Sequence, residues 1–236
     1  MIETAGIDTL RRDHVLGTGL FRGVLFEPEA TNLLHYSNSF THQDWYGHWS
    51  KPSFSVGLTA PDGSSTAMGW NCTETTGGLD GLRGGLVMKD ESVAGTSTVS
   101  IWLRASAPVA LRFGQSDGNS EIINVTTDWQ RFTYTEVLPN AQDRIFVLSE
   151  TEGADIDIEI WGAQVEIGSK ETTIIPTDGS AASRSADVAG LSGTNGTFDV
   201  TLTYDDDSQD TLLAQSIGEG WWPVLRRNHL KHILIE

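Results

Sequence analysis

The chain has 236 residues, with 32 acidic against 15 basic side chains and a net charge of −17. A chain of this length buries about 70% of its unfolded surface, so it needs no disulfide or metal scaffold to fold. Its single cysteine, Cys72, excludes an intramolecular disulfide framework and a CxxC metal knuckle. The charge repels phosphate backbones and anionic lipid heads, so neither nucleic acid nor membrane is an expected partner. No apolar run approaches the ~20 residues that span a bilayer. The N-terminal stretch lacks the basic-then-apolar layout of a secretion signal, so export by such a signal is not expected.

In chain order, Gly17-Thr18-Gly19 does not sit between a strand and a helix and no Gly-Lys-Ser/Thr follows it, so it reads as a turn and not as a phosphate cradle. Five of the chain's aromatic residues, Tyr36, Trp45, Tyr46, Trp49 and Trp70, then concentrate in the first third. Trp45, Trp49 and Trp70 stand in irregular sequence, where a flat ring can face a sugar instead of a core. His35, His42 and His48 with Asp44 form a loose group that reads as surface histidines. Residues 75–85 form a Gly-rich loop. Residues 97–104 and 129–135, rich in β-branched and aromatic side chains, read as strands, and their Trp102 and Trp129 are expected in the core.

Between these two strands, residues 109–113 and 121–125 flank Gly114-Gln115-Ser116-Asp117-Gly118-Asn119 and read as a hairpin. The same loop matches the G-x-S-x-G nucleophile elbow. An elbow needs a strand followed by a helix, and here a second strand follows. Residues 155–161 set three isoleucines on one face and three carboxylates on the other, as a half-buried antiparallel strand requires. A small, polar stretch at 177–183 reads as a linker or crossing loop. Residues 197–204 alternate, turn at Asp205-Asp206-Asp207-Ser208 and return through 211–213, and residues 229–235 form a last strand. In a strand, His229 and His232 fall on opposite faces and do not share a metal. The aspartate cluster lacks the D-x-D-x-D-G spacing of a calcium loop and reads as a solvated turn. No segment sustains a 3.6-residue apolar stripe, and no repeat of 20 to 50 residues occurs. The N-x-S/T sequons at Asn71, Asn124 and Asn195 read as chance occurrences.

Several segments together resemble one family. Residues 22–34, RGVLFEPEATNLL, with Ser37-Asn38-Ser39-Phe40 and Trp45, resemble the opening of carbohydrate-binding-module-like jelly-roll domains in structural proteins of tailed bacteriophages. Ala60-Pro61-Asp62-Gly63-Ser64, residues 125–132, residues 160–166, Pro176-Thr177 and Ser183-Arg184-Ser185-Ala186-Asp187 resemble its later signatures. So does the tail from Phe198 through Trp222 and Pro223 to Ile235.

The many short strands with Gly/Asn/Asp turns point to an all-β, two-sheet sandwich, and with the resemblance they imply an N-terminal arm at 1–21, a jelly-roll β-sandwich at 22–188 and a small β module for assembly or attachment at 189–236. The resemblance implies a non-enzymatic virion protein of fibre, spike or appendage type that binds host-surface polysaccharide during adsorption. The expected glycan-binding residues are Trp45, Tyr46, Trp49 and Trp70, without catalytic residues. No cofactor is expected, although a structural calcium ion suits such sandwiches. Expected partners are other virion proteins, host glycan and further copies of the chain in a homotrimer. The alternatives are a purely structural virion protein contacting capsid or tail neighbours, and a depolymerase or esterase acting through Ser116 or a carboxylate pair.

Overall fold

A computed structural model describes residues 11–14, 20–48, 51–73, 85–115, 119–151 and 154–236. Fifteen strands and no helix occur among them: β1 (Arg12–His14), β2 (Phe21–Leu25), β3 (Ala30–Asn32), β4 (Trp45–His48), β5 (Lys51–Leu58), β6 (Ala67–Thr73), β7 (Gly85–Ala105), β8 (Val109–Gln115), β9 (Asn119–Val125), β10 (Gln130–Ser149), β11 (Ile156–Ile167), β12 (Ala182–Arg184), β13 (Gly196–Tyr204), β14 (Gln209–Ile217) and β15 (His229–Ile235). They build two compact units, one of residues 30–184 and one that takes both ends of the chain.

The larger unit is a β-sandwich of the jelly-roll type. Its two longest strands, β7 and β10, have 21 and 20 residues. At ~3.3 Å per residue they outrun any one small sheet and serve two. The C-terminal half of β7 lies between β11 and the start of β10, while its N-terminal half pairs with β4 and the end of β10. One layer therefore reads β5-β6-β11-β7-β10, and the other reads β4-β7-β10-β8-β9. The change of layer falls at Gly95, whose φ of 94° suits glycine, and at the register break between Leu138 and Gln142. One core joins the layers. Trp70, Val99, Ile101, Leu103, Ile156, Ile158 and Ile160 from the first meet Leu111, Phe113, Ile123, Ile145 and Val147 from the second. Each such buried side chain contributes on the order of 1.5–3 kcal/mol. The hairpin and the isoleucine face expected at 109–125 and 155–161 are present as β8–β9 and β11.

Asn32, at the end of β3, is the polar hub of this unit and is fully buried. Its Oδ1 accepts from the backbone N–H of Leu34 and Val165, and its Nδ2 donates to the carbonyls of Ala163 and Ile175. Gln164 extends the tie, accepting from Ile175 N at 2.7 Å and donating to Glu166 at 2.6 Å. Ser37 and Thr177 bind each other reciprocally. Residues 32–37 and 163–177 thus form a buried hydrogen-bond network that closes the sandwich.

The second unit has one sheet, ordered β1-β2-β15-β13-β14. The pairing of Leu25 and Val24 with His229 and Leu230 brings β2, and β1 beside it, into the sheet that ends the chain. The sandwich accordingly spans 30–184, where 22–188 was expected from sequence, and residues 11–14 and 20–29 belong with 185–236. Gly23 permits this join: its φ is 133°, and a Cβ there would stand 2.7 Å from Leu230 O. Val200, Leu202, Tyr204, Ile217 and Leu230 form the core, flanked by Phe26, Trp221 and Trp222. The aspartate turn is tied down by bases. Asp205 pairs with Arg22 and Arg227, Asp206 with Arg227 and Asp207 with Lys231.

Candidate functional site

The structure corrects two of the four expected site residues, Trp45 and Trp70. Trp45 is 5% exposed; its indole N–H donates to Tyr36 O at 2.9 Å and its ring leans on Phe40 at 4.8 Å. Trp70 is 0% exposed in the sandwich core. Neither ring has a face to offer a ligand. The irregular sequence before Trp45 is a tight turn that folds Phe40 and Trp45 inward, and Trp70 shares the inward face of β6 with Met68 and Cys72. Tyr46 lies in β4, but its side chain, like all of Trp49, is outside the described residues.

A different aromatic group emerges on the outer face of the first layer. Val99, Ile101, Leu103 and Ala105 commit one face of β7 to the core, so Thr98, Ser100, Trp102 and Arg104 point outward. Trp161 of β11 stands opposite Trp102, with the two rings edge to face at 6.5 Å. Trp129, just before β10, joins them in a small cluster with Ala60, Ala67, Leu58 and Ile174. The expectation that Trp102 and Trp129 lie in the main core is therefore corrected: both are half-buried on the opposite side of the sheet. Strand parity, read from Val99, Ile101 and Leu103, was the signal that places Trp102.

Two segments cover part of this face. The turn at 59–66 holds Trp129 through its indole N–H to Thr59 O at 3.2 Å, and Trp161 through Thr66 Oγ1 at 2.9 Å. On the other side, Glu166 is buried and accepts from Thr172 N and Oγ1, which anchors the segment after β11. Trp161 is sealed beneath these covers at 5% exposure. Between them Trp102 and Trp129 keep partial access to solvent.

Polar groups border the rings. Arg104 lies over Trp129, its Cζ 5.0 Å from the ring centroid, and its Nη2 donates to Glu159 Oε2 at 2.7 Å. The two charged side chains are paired in strand register and are 30% and 29% exposed. Ser106 donates to Asp157 at 3.2 Å one row further along. Half-exposed rings beside a fixed donor–acceptor pair can hold a ligand with an apolar face and several hydroxyls.

Gln115 pairs with Asn119, so the G-x-S-x-G stretch joins two strands with no helix after it; Ser116 itself lies outside the described residues, as do Gly17-Thr18-Gly19 and most of the 75–85 loop. His42 stacks on Tyr36 at 3.6 Å and meets Asp44 at 3.2 Å. Among the described residues no group of three or more His, Cys, Asp or Glu side chains is arranged to hold a metal ion.

No protein-family model matches the sequence, and no curated protein matches it. Solved structures do. An exo-β-agarase matches with 8% identity and a TM-score of 0.41 over 59% of this chain, which spans only 25% of that enzyme. A variant of a family 29 carbohydrate-binding module, solved with mannohexaose, matches with 14% identity and a TM-score of 0.42, covering 60% of this chain and 94% of that one. The family 11 carbohydrate-binding module from Clostridium thermocellum, in complex with a β-1,3-1,4-mixed-linked tetrasaccharide, matches with 10% identity and a TM-score of 0.38, covering 61% and 98%.

Proposed function

We propose that this is a non-enzymatic glycan-binding protein of a bacteriophage virion, which holds host-surface polysaccharide on the outer face of the sandwich during adsorption. The observation that carries the reading is the half-exposed pair Trp102 and Trp129 with Arg104 and Glu159 fixed beside them. The rings supply flat apolar surfaces at low entropic cost, and the charged pair supplies hydrogen-bonding groups at a defined position. Such a site is weak alone and gains from repeated copies, which suits a homotrimer carried many times on a particle. The phage setting rests on the sequence resemblance through residues 22–45, 160–166 and 176–187.

The test is binding of the intact protein, displayed multivalently, to host-type cells and their isolated surface polysaccharide, beside Trp102→Ala and Trp129→Ala variants checked for folding by circular dichroism. Saturable binding that falls at least tenfold in both folded variants supports the site. Wild-type protein that binds no glycan refutes it. A purely structural virion role is the second reading, favoured by Val188, Leu213 and Val224 of the terminal unit, whose apolar side chains are largely exposed.

A further inference from the structure

We infer, building on the glycan-binding reading above, that this site takes uncharged sugars and rejects acidic ones, and that Glu159 is the residue that sets the selection. The strand β11 presents Asp157 and Glu159 on the same outward face, with Asp155 exposed just before it. Asp128 precedes Trp129 in the chain and is exposed, and Asp62 is exposed in the turn whose Thr59 holds the Trp129 indole.

Two cations stand against these five carboxylates. Arg131 stands in register with Trp102 and donates to Ser100 Oγ at 2.9 Å, in the next row of the face. Arg104 is the cation over Trp129, and its guanidinium is engaged on two sides, by Glu159 at 2.7 Å and by the Trp129 ring beneath it. A ligand carboxylate or sulfate placed beside Trp129 therefore meets a cation whose charge is already answered and a rim of carboxylates. A unit like charge ~4 Å away in water costs about 1 kcal/mol, which is about fivefold in affinity for each such approach. Sugar hydroxyls meet no such penalty and donate to the free lone pairs of Glu159 and Asp157.

Glu159 is the group whose removal reverses the field at its centre. Glu159→Gln deletes one negative charge and releases the Arg104 fork, which matches a carboxylate in bidentate geometry. The exposed Asp157→Asn removes a charge without touching the Arg104 pair.

The experiment titrates full-length wild type, Glu159→Gln and Asp157→Asn with neutral hexaoses of β-glucan and β-mannan type, with oligogalacturonate of the same length, and with the host-type polysaccharide and its carboxyl-reduced form. Titrations run at low and at moderate ionic strength. The wild type is expected to bind uncharged chains and to bind the uronate at least tenfold more weakly. Glu159→Gln is expected to gain about five- to tenfold toward the uronate, and that gain is expected to shrink with salt. Asp157→Asn is expected to gain less, in the same direction. Equal wild-type affinity for neutral and uronate chains overturns the selectivity, and so does an unchanged ratio in both variants, while leaving glycan binding in place. Wild-type protein that binds none of these chains overturns the glycan reading itself and this inference with it.

Discussion

Replacing Asn32 by alanine is the sharpest perturbation of the sandwich. The side chain makes four hydrogen bonds inside a fully buried site, to Leu34 N and Val165 N at 3.1 Å, Ile175 O at 2.9 Å and Ala163 O at 3.3 Å. Alanine leaves two N–H and two C=O groups facing an emptied volume. Each unsatisfied buried group costs about 1–3 kcal/mol, so four groups with no relaxation give ~4–12 kcal/mol. Entry of a water and a shift of the 163–175 segment recover part of this, and we expect a loss of about 3–5 kcal/mol, a large share of the ~5–15 kcal/mol that stabilises an ordinary domain. Urea unfolding followed by tryptophan fluorescence reads the change as a midpoint lowered by about 1–2 M at an unchanged slope. The exposed hydrogen bond between Thr31 and Ser183 provides the control, since Ser183→Ala alters a surface pair only. An Asn32→Ala protein that loses less than about 1 kcal/mol refutes the hub.

Other consequences concern both units. Burial alone would raise the Asp13 carboxyl, but the hydrogen bond and charge of His229, with Arg22 nearby, hold it below its ordinary value near 3.8. Its stabilisation is therefore complete above about pH 4 and is lost as pH falls through the lowered native value, so Asp13→Asn should be weaker than wild type near neutrality and converge with it in acid; a difference constant with pH contradicts this. Trp45 and Trp70 provide an internal comparison: Trp45 donates to Tyr36 O, whereas the Trp70 indole N–H has no acceptor among the described residues. Trp45→Phe should cost about 1 kcal/mol more than Trp70→Phe in chemical denaturation, and equal costs would argue against the assignment. Gly23→Ala forces a Cβ toward Leu230 O at a strained φ, and it should detach β2 from β15, read as lost amide protection at Val24 and Leu230; intact protection refutes the close approach.

The parts of the fold legible in the sequence were those written in adjacent residues. The β8–β9 hairpin follows from two short strands and a Gly/Asp/Asn turn, and β11 from its isoleucine alternation. Joining β2 to β15 depends on a pairing of two residues with partners about two hundred positions away, which no local pattern encodes. Asn32 stood inside a recognisable motif, yet its role rests on Ala163 and Ile175, 131 and 143 positions distant. The burial of Trp45 and the outward placing of Trp102 have a physical reason. Irregular sequence around Trp45 looked like surface but is a turn that drives the ring inward, while the regular alternation around Trp102 looked like core although its parity points the ring outward.

Glycan binding at Trp102 and Trp129 is open to direct observation. The most direct measurement follows all eight indole N–H signals by nuclear magnetic resonance, assigned by single Trp→Phe variants, during titration with host-type polysaccharide fragments. Binding at the proposed site gives saturable shifts at Trp102 and Trp129, with Trp45 and Trp70 unmoved. Shifts absent from both, or centred on Trp221 and Trp222 of the terminal unit, contradict it.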